Sequence, residues 1–173
     1  MTANSKTLDI IKKLGDATPP PIHLSRLLHS PIQSNFSFAV SSDERGIAVR
    51  IFELLGEASV NLRFVSEYTG AGGEARIQFC CDADAQQIVL EVFKKMGAFA
   101  VLREFRHLHA VVVLSLYPFN GQPQIAGRVF AVLRQRGIEI LCANTATSVF
   151  SFVVSADDLE PAVSSLKQVF IWQ

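Results

Sequence analysis

Gly46 and Asn61 are the residues whose types and settings best suit ligand chemistry. They belong to the stretch "SDERGIAVRIFELLGEASVNLRF", Ser42 to Phe64, which reads as a turn, an amphipathic helix and a strand. Backbone amides at a helix N-terminus point outward and carry partial positive charge, so they suit a carboxylate. Gly46 lets a ligand approach the backbone closely. Asn61 offers both a donor and an acceptor. An α-amino acid needs that pairing: donors for its carboxylate and acceptors for its ammonium. The expected contact set is Ser42, Asp43, Arg45, Gly46, Ile47 and Ala48 from the turn and helix, with Asn61, Leu62 and Arg63 from the strand. Arg45 or Arg63 would assist at the carboxylate, and Ile47 and Leu62 would flank the side chain.

Other chemistries find weaker footing. Asp43 and Glu44 are adjacent carboxylates, but they precede a helix, where acidic residues are favoured anyway. His107 and His109 share one face of a strand, and two ligands without a third do not make a metal site. Cys80, Cys81 and Cys142 make an odd count that fits a reducing compartment, and the adjacent pair must point to opposite faces of a strand. No nucleophile–base pairing or phosphate loop is signalled. The expectation is therefore no catalysis, no cofactor and no metal.

The elements that would hold these residues come in two sets. "NFSFAVS" alternates as a strand; Ile47 to Glu57 is a helix with Ile47, Ile51, Leu54, Leu55 and Ala58 along one side. "VNLRFVSEY" and "EARIQFCC" are strands joined by "TGAGG", a second helix carries Ile88, Val89, Val92, Phe93 and Met96, and "FAVLREF" is a fourth strand. The order β-α-β-β-α-β is the ferredoxin-like arrangement. "NGQPQIAGRVFAVLRQRGIEILC" then repeats the opening unit 78 places on, without a gap. "FCCDAD" returns as "FVVSAD" 73 places on, so the second hairpin is five residues shorter. The spacing predicts a tail over residues 1–34, a first domain over 35–106 and a second over 107–173. Within the tail, "TLDIIKKLGD" suggests a short helix, and three consecutive prolines force extended backbone.

Composition bounds the partners. Net charge is zero, which leaves no electrostatic footprint for nucleic acid or an anionic membrane. The strands also lack the exposed aromatic and basic signature of an RNA-binding sheet. No apolar run is long enough to span a membrane, and the start lacks a signal-peptide core, so a cytoplasmic protein is expected. Apolar residues make up 49% of the chain, with 13 Phe, which is more than two small domains should leave bare. A homodimer or larger assembly is expected.

"DERGIAVRIFELLGEASVNLRFVSE" and "GQPQIAGRVFAVLRQRGIEILCANTATSVFSFVVSADDLEPAVSSLKQVF" resemble ACT domains, above all the paired ACT domains in the regulatory tail of aspartate kinases. The resemblance covers about residues 35–173. It implies an amino-acid sensor that binds its effector at a domain or subunit interface and either acts as a free sensor or regulates a separate metabolic enzyme. It also implies α+β architecture, two tandem ferredoxin-like ACT domains with helices on one face, and an exchange of last strands between them, with "FAVLREF" completing the second unit. Family members usually carry Pro-Gly before the first helix. Here the first copy has Arg45-Gly46 and the second Pro123-Gln124, and Glu139 replaces the second copy's Asn. The first copy therefore looks the more competent to bind, and Arg63 opposes a cationic effector. An interaction subunit that binds no small molecule stands as the alternative.

Overall fold

Arg103 to Tyr117 contains no glycine, proline, asparagine or aspartate to turn the chain, and it forms one strand of 15 residues. This strand organises the computed structural model, which describes residues 21–173. The helix expected in "TLDIIKKLGD" lies outside the described residues. The strands are β1 (His23–Leu24), β2 (Arg26–His29), β3 (Gln33–Val40), β4 (Leu62–Thr69), β5 (Ala75–Asp82), β6 (Arg103–Tyr117), β7 (Cys142–Thr145), β8 (Phe150–Ser155) and β9 (Ile171–Trp172). The helices are α1 (Arg45–Glu57), α2 (Gln86–Lys95), α3 (Pro123–Gln135) and α4 (Leu159–Val169).

The strands of the main sheet lie in the order β4-β5-β3-β6-β8-β7, with β2 also paired to β6. The first half of β6 pairs with β3 and completes a β-α-β-β-α-β unit; the second half pairs with β8 and opens the next. The expected junction between residues 106 and 107 thus falls inside a strand. "FAVLREF" is also shorter as a strand than expected, because Ala98–Ala100 forms a 3-10 turn. What remains of it pairs with β3 of its own unit, Ala39 opposite Arg103 and Ser37 opposite Arg106. The expected exchange of that strand does not occur.

A different segment crosses instead. β2 lies antiparallel to the end of β6, from Arg26 opposite Tyr117 to His29 opposite Leu114, and fills the fourth-strand position of the second unit. β1 pairs in parallel with β9, the last strand of the chain, rather than β9 returning to the first unit. From Ile22 on, the expected tail is part of the fold. Ile22 and Leu24 are buried with Leu114, Leu116, Phe150 and Phe170, so apolar burial holds the segment there.

Each helix pair covers one face of its own half-sheet. α1 and α2 bury Ile51, Leu55, Val89 and Phe93 against Phe36, Phe38, Ile77 and Phe79. α3 and α4 bury Ile125, Val129, Leu133 and Leu166 against Leu114, Phe150 and Phe152. A bulge in β6 accounts for the change of parity along it: Asn35 faces Leu108 but Gln33 faces Val111. Val111 and Val113 consequently point away from the helices, as do Cys80 and Val153. Cys80 and Val153 are nonetheless fully buried, in a third cluster that joins Phe64 and Cys80 of the first unit to Val111, Val113 and Val153 of the second. The helix-free faces of the two units cover each other.

Candidate functional site

The chain leaves β3 at Val40, makes one 3-10 turn over Ser42–Glu44 and enters α1 at Arg45. Ser41 closes the turn: its hydroxyl donates to Glu44 Oε2 at 2.7 Å, and the Glu44 amide donates to its carbonyl. The Ser42 hydroxyl donates to Asp43 at 3.2 Å. No side chain caps α1, and Gly46 is exposed in its first turn. A Cβ at Gly46 would meet nothing within 4 Å, so no neighbour in the chain demands glycine there. Ala48 is buried and Ile47 packs partly against the first core. Arg45 donates to the Gly73 carbonyl at 2.9 Å, which ties the start of the helix to the β4–β5 hairpin. Gly73 takes φ +82, as that tight loop requires.

Asn61, Leu62 and Arg63 stand elsewhere. Asn61 is exposed just before β4, and Leu62 is half-buried against the first core. Arg63 forms a two-point ion pair with Asp82, at 3.0 and 3.2 Å. Val40 faces Ala75 on β5, whereas Leu62 faces Cys81. Those partners are six residues apart, about 20 Å along a strand. α1 spans the same length, since its 13 residues rise about 20 Å. Within one chain, therefore, the structure groups Ser42 to Ala48 at one end of the first unit and Asn61 to Arg63 at the other. It does not bring the two groups together.

The two ends differ in chemistry. Beside Ser42 a cavity of about 300 Å³ is lined by Ser41, Gly72, Glu74, Arg76, Arg103 and Glu104. Arg76 holds Glu104 at 2.7 and 2.8 Å and Glu74 at 3.1 Å. Its guanidinium draws the Glu104 carboxyl below the usual range; at Glu74 its own backbone amide does so first and Arg76 second. Sequence reasoning missed this cluster. Arg76 and Glu104 sit 28 positions apart, and only the strand register that sets Ala39 between Arg76 and Arg103 unites them.

In the second unit, Glu139 lines an apolar groove of about 590 Å³ with Phe130, Arg134, Ile138, Ile140 and Cys142. The strand expected over "IEILCAN" is regular only from Cys142. Elsewhere, His107 stacks on Phe36 with ring centres 4.2 Å apart, and His109 Nδ1 donates to Gln86 Oε1 at 3.0 Å. Among the described residues, no three His, Cys, Asp or Glu side chains are grouped to hold a metal. Cys80 and Cys81 do point to opposite faces, one into the cluster between the units and one under the helices. Burial pushes their thiols up, to about 11 and about 12. Among the described residues no helix is long and apolar enough to cross a membrane.

Residues 119–170 match the ACT domain family model. The chain contains an ACT domain and resembles the regulatory region of aspartate kinases. Aspartokinase 2 of Bacillus subtilis (strain 168) is 31% identical over 123 residues, which cover 69% of this chain and 30% of the relative. The regulatory subunit of aspartate kinase from Thermus thermophilus, in its ligand-free form, superposes with a TM-score of 0.73 at 17% identity, over 85% of this chain and 98% of that one. E. coli aspartokinase III in complex with lysine and aspartate gives a TM-score of 0.60 at 18% identity, over 90% of this chain and 35% of that one. At such identities the structural neighbours speak for the fold: two ferredoxin-like units with antiparallel sheets and helices on one face.

Proposed function

We propose that this chain is a non-catalytic regulatory protein that binds an amino acid at an interface between two copies of itself and acts on a separate metabolic enzyme. The observation that carries the reading is the separation of its two half-sites by one strand length, together with the position of β4 at the edge of the sheet. If two β4 edges pair antiparallel about a two-fold axis, the start of one strand lies beside the end of the other. Asn61 to Arg63 of one copy then comes level with Ser42 to Ala48 of the partner. An edge strand of eight residues with exposed Val65 and Tyr68 is also a surface that soluble proteins seldom leave open. The uncapped amides of α1 would receive the carboxylate, Asn61 the ammonium, and Arg45 or Arg63 would add charge.

The likeness to a free-standing regulatory subunit of aspartate kinase supports action on a separate polypeptide. The apolar groove beside β7 favours a second reading, in which the chain only holds a partner protein. A thermal-shift screen across the amino acids separates the two. A sensor gains stability from at least one of them, because a ligand that binds the folded state alone raises the melting temperature. A chain that gains from none is a scaffold.

A further inference from the structure

Gln33 is 1% exposed, and neither the nitrogen nor the oxygen of its carboxamide has a hydrogen-bond partner. Buried polar groups are almost always paired, so an orphaned carboxamide calls for a physical reason. Gln33 forms part of the wall of a cavity of about 410 Å³ at the seam between the two units. One side is the end of β2 and the connection to β3, with Leu28, His29, Ser30 and Pro31. The second is β6, through Val113, Ser115 and Tyr117 on the face turned from the helices. The third is Arg63, reaching over from β4.

We infer that this seam is a second small-molecule site, within one chain, for a free α-amino acid with a small side chain. The inference rests on the reading of the protein as an amino-acid sensor and adds a place within one chain that shares only Arg63 with the interface site. Arg63 uses Nε and Nη2 on Asp82, so Nη1 keeps its donors without a partner among the described residues. The Arg63–Asp82 pair has no net charge, and it therefore favours a ligand that is itself neutral overall but carries both signs. His29 Nδ1 lies 3.1 Å from the Ser30 carbonyl; donating there leaves Nε2 as an acceptor. Gln33 adds one donor group and one acceptor. A zwitterion matches that set, its carboxylate toward Arg63 and Gln33 and its ammonium toward His29 and Gln33. Leu28 and Val113 supply apolar wall, and the volume lies at the small end of ligand sites, enough for one amino acid. An occupant would touch β4 of the first unit and β6 of the second at once, so binding would fix how the units sit on each other.

The test uses the full chain carrying Asn61→Ala, which weakens the interface site, and each common α-amino acid in turn as the probe. Thermal unfolding finds the ligand and calorimetry measures it. The expected result is that one amino acid still stabilises this chain. Adding Gln33→Leu, or Leu28→Trp at the exposed rim, then weakens its binding about tenfold or more. Leu28 is 49% exposed, so that variant blocks the cavity without entering the core. Residual binding that neither variant weakens overturns the seam site. So does loss of all binding in Asn61→Ala while the wild type still binds, an outcome that leaves the interface site standing. A wild-type chain that gains stability from no amino acid overturns both.

Discussion

Leu24 pairs with Trp172 in a parallel ladder, so the beginning of the described chain and its end close the same unit. Leu24 is 1% exposed and belongs to the core under α3 and α4. Leu24→Ala should therefore cost about 2–5 kcal/mol, as a buried leucine does when truncated. Urea unfolding measures it. A loss below about 0.5 kcal/mol, the size of a surface substitution, would mean the segment is a dispensable tail after all.

Val65 lies near the middle of β4 and is exposed. In the proposed two-fold pairing it faces its own copy, so Val65→Asp sets like charges opposite each other. Light scattering should give twice the chain mass for the wild type and the chain mass for the variant. A wild-type monomer, or a dimer untouched by this change, refutes the β4 interface.

Gly46→Ala should move stability and binding in opposite directions. There is open space for the methyl group and a helical backbone to favour it, so stability rises by up to about 1 kcal/mol. The same methyl group stands where the ligand's carboxylate would approach, so affinity falls. Asn61→Ala should weaken interface binding about ten- to a hundredfold with the fold intact, and the same change at Glu139 should matter less. Calorimetry on the three variants is decisive: unchanged affinity in both Gly46→Ala and Asn61→Ala places the ligand elsewhere.

Burial lowers the pKa of His107, and its neighbour His109 adds to the effect. The folded protein therefore favours the neutral ring, while the unfolded chain takes up protons below about pH 6.5. The stability this contributes is present above that pH and lost as pH falls through the lowered folded value. Replacing the ring by another that stacks on Phe36, in His107→Phe, should flatten the dependence between about pH 7 and pH 5. Denaturant titrations of both proteins across that range give the comparison. Parallel curves would show that His107 is not the source.

The local pattern along the chain determined much of this protein. Alternation in "NFSFAVS" and "EARIQFCC" and the apolar stripe of α1 concern residues within a few places of one another, and the repeat at 78 positions is such a local pattern written twice. Such neighbours decide helix or strand, because period and turn chemistry are local properties. Two strands parted between residues 106 and 107 were expected where Arg103 to Tyr117, with no turn residue to interrupt them, form one.

Tertiary structure alone decided who pairs with whom. "HLSRLLH" is too short and too near its prolines to declare a partner, and its place beside β6 and β9 is set by burying Ile22 and Leu24 in a core supplied from the far end of the chain. Arg76 meets Glu104, and Arg63 meets Asp82, through strand register that no periodicity encodes. The candidate site divides along the same line. Residue types at Gly46 and Asn61 carry the proposed chemistry. Their separation follows from a helix that runs the full length of the strands it covers, and the seam at Gln33 exists only because two helix-free faces bury each other.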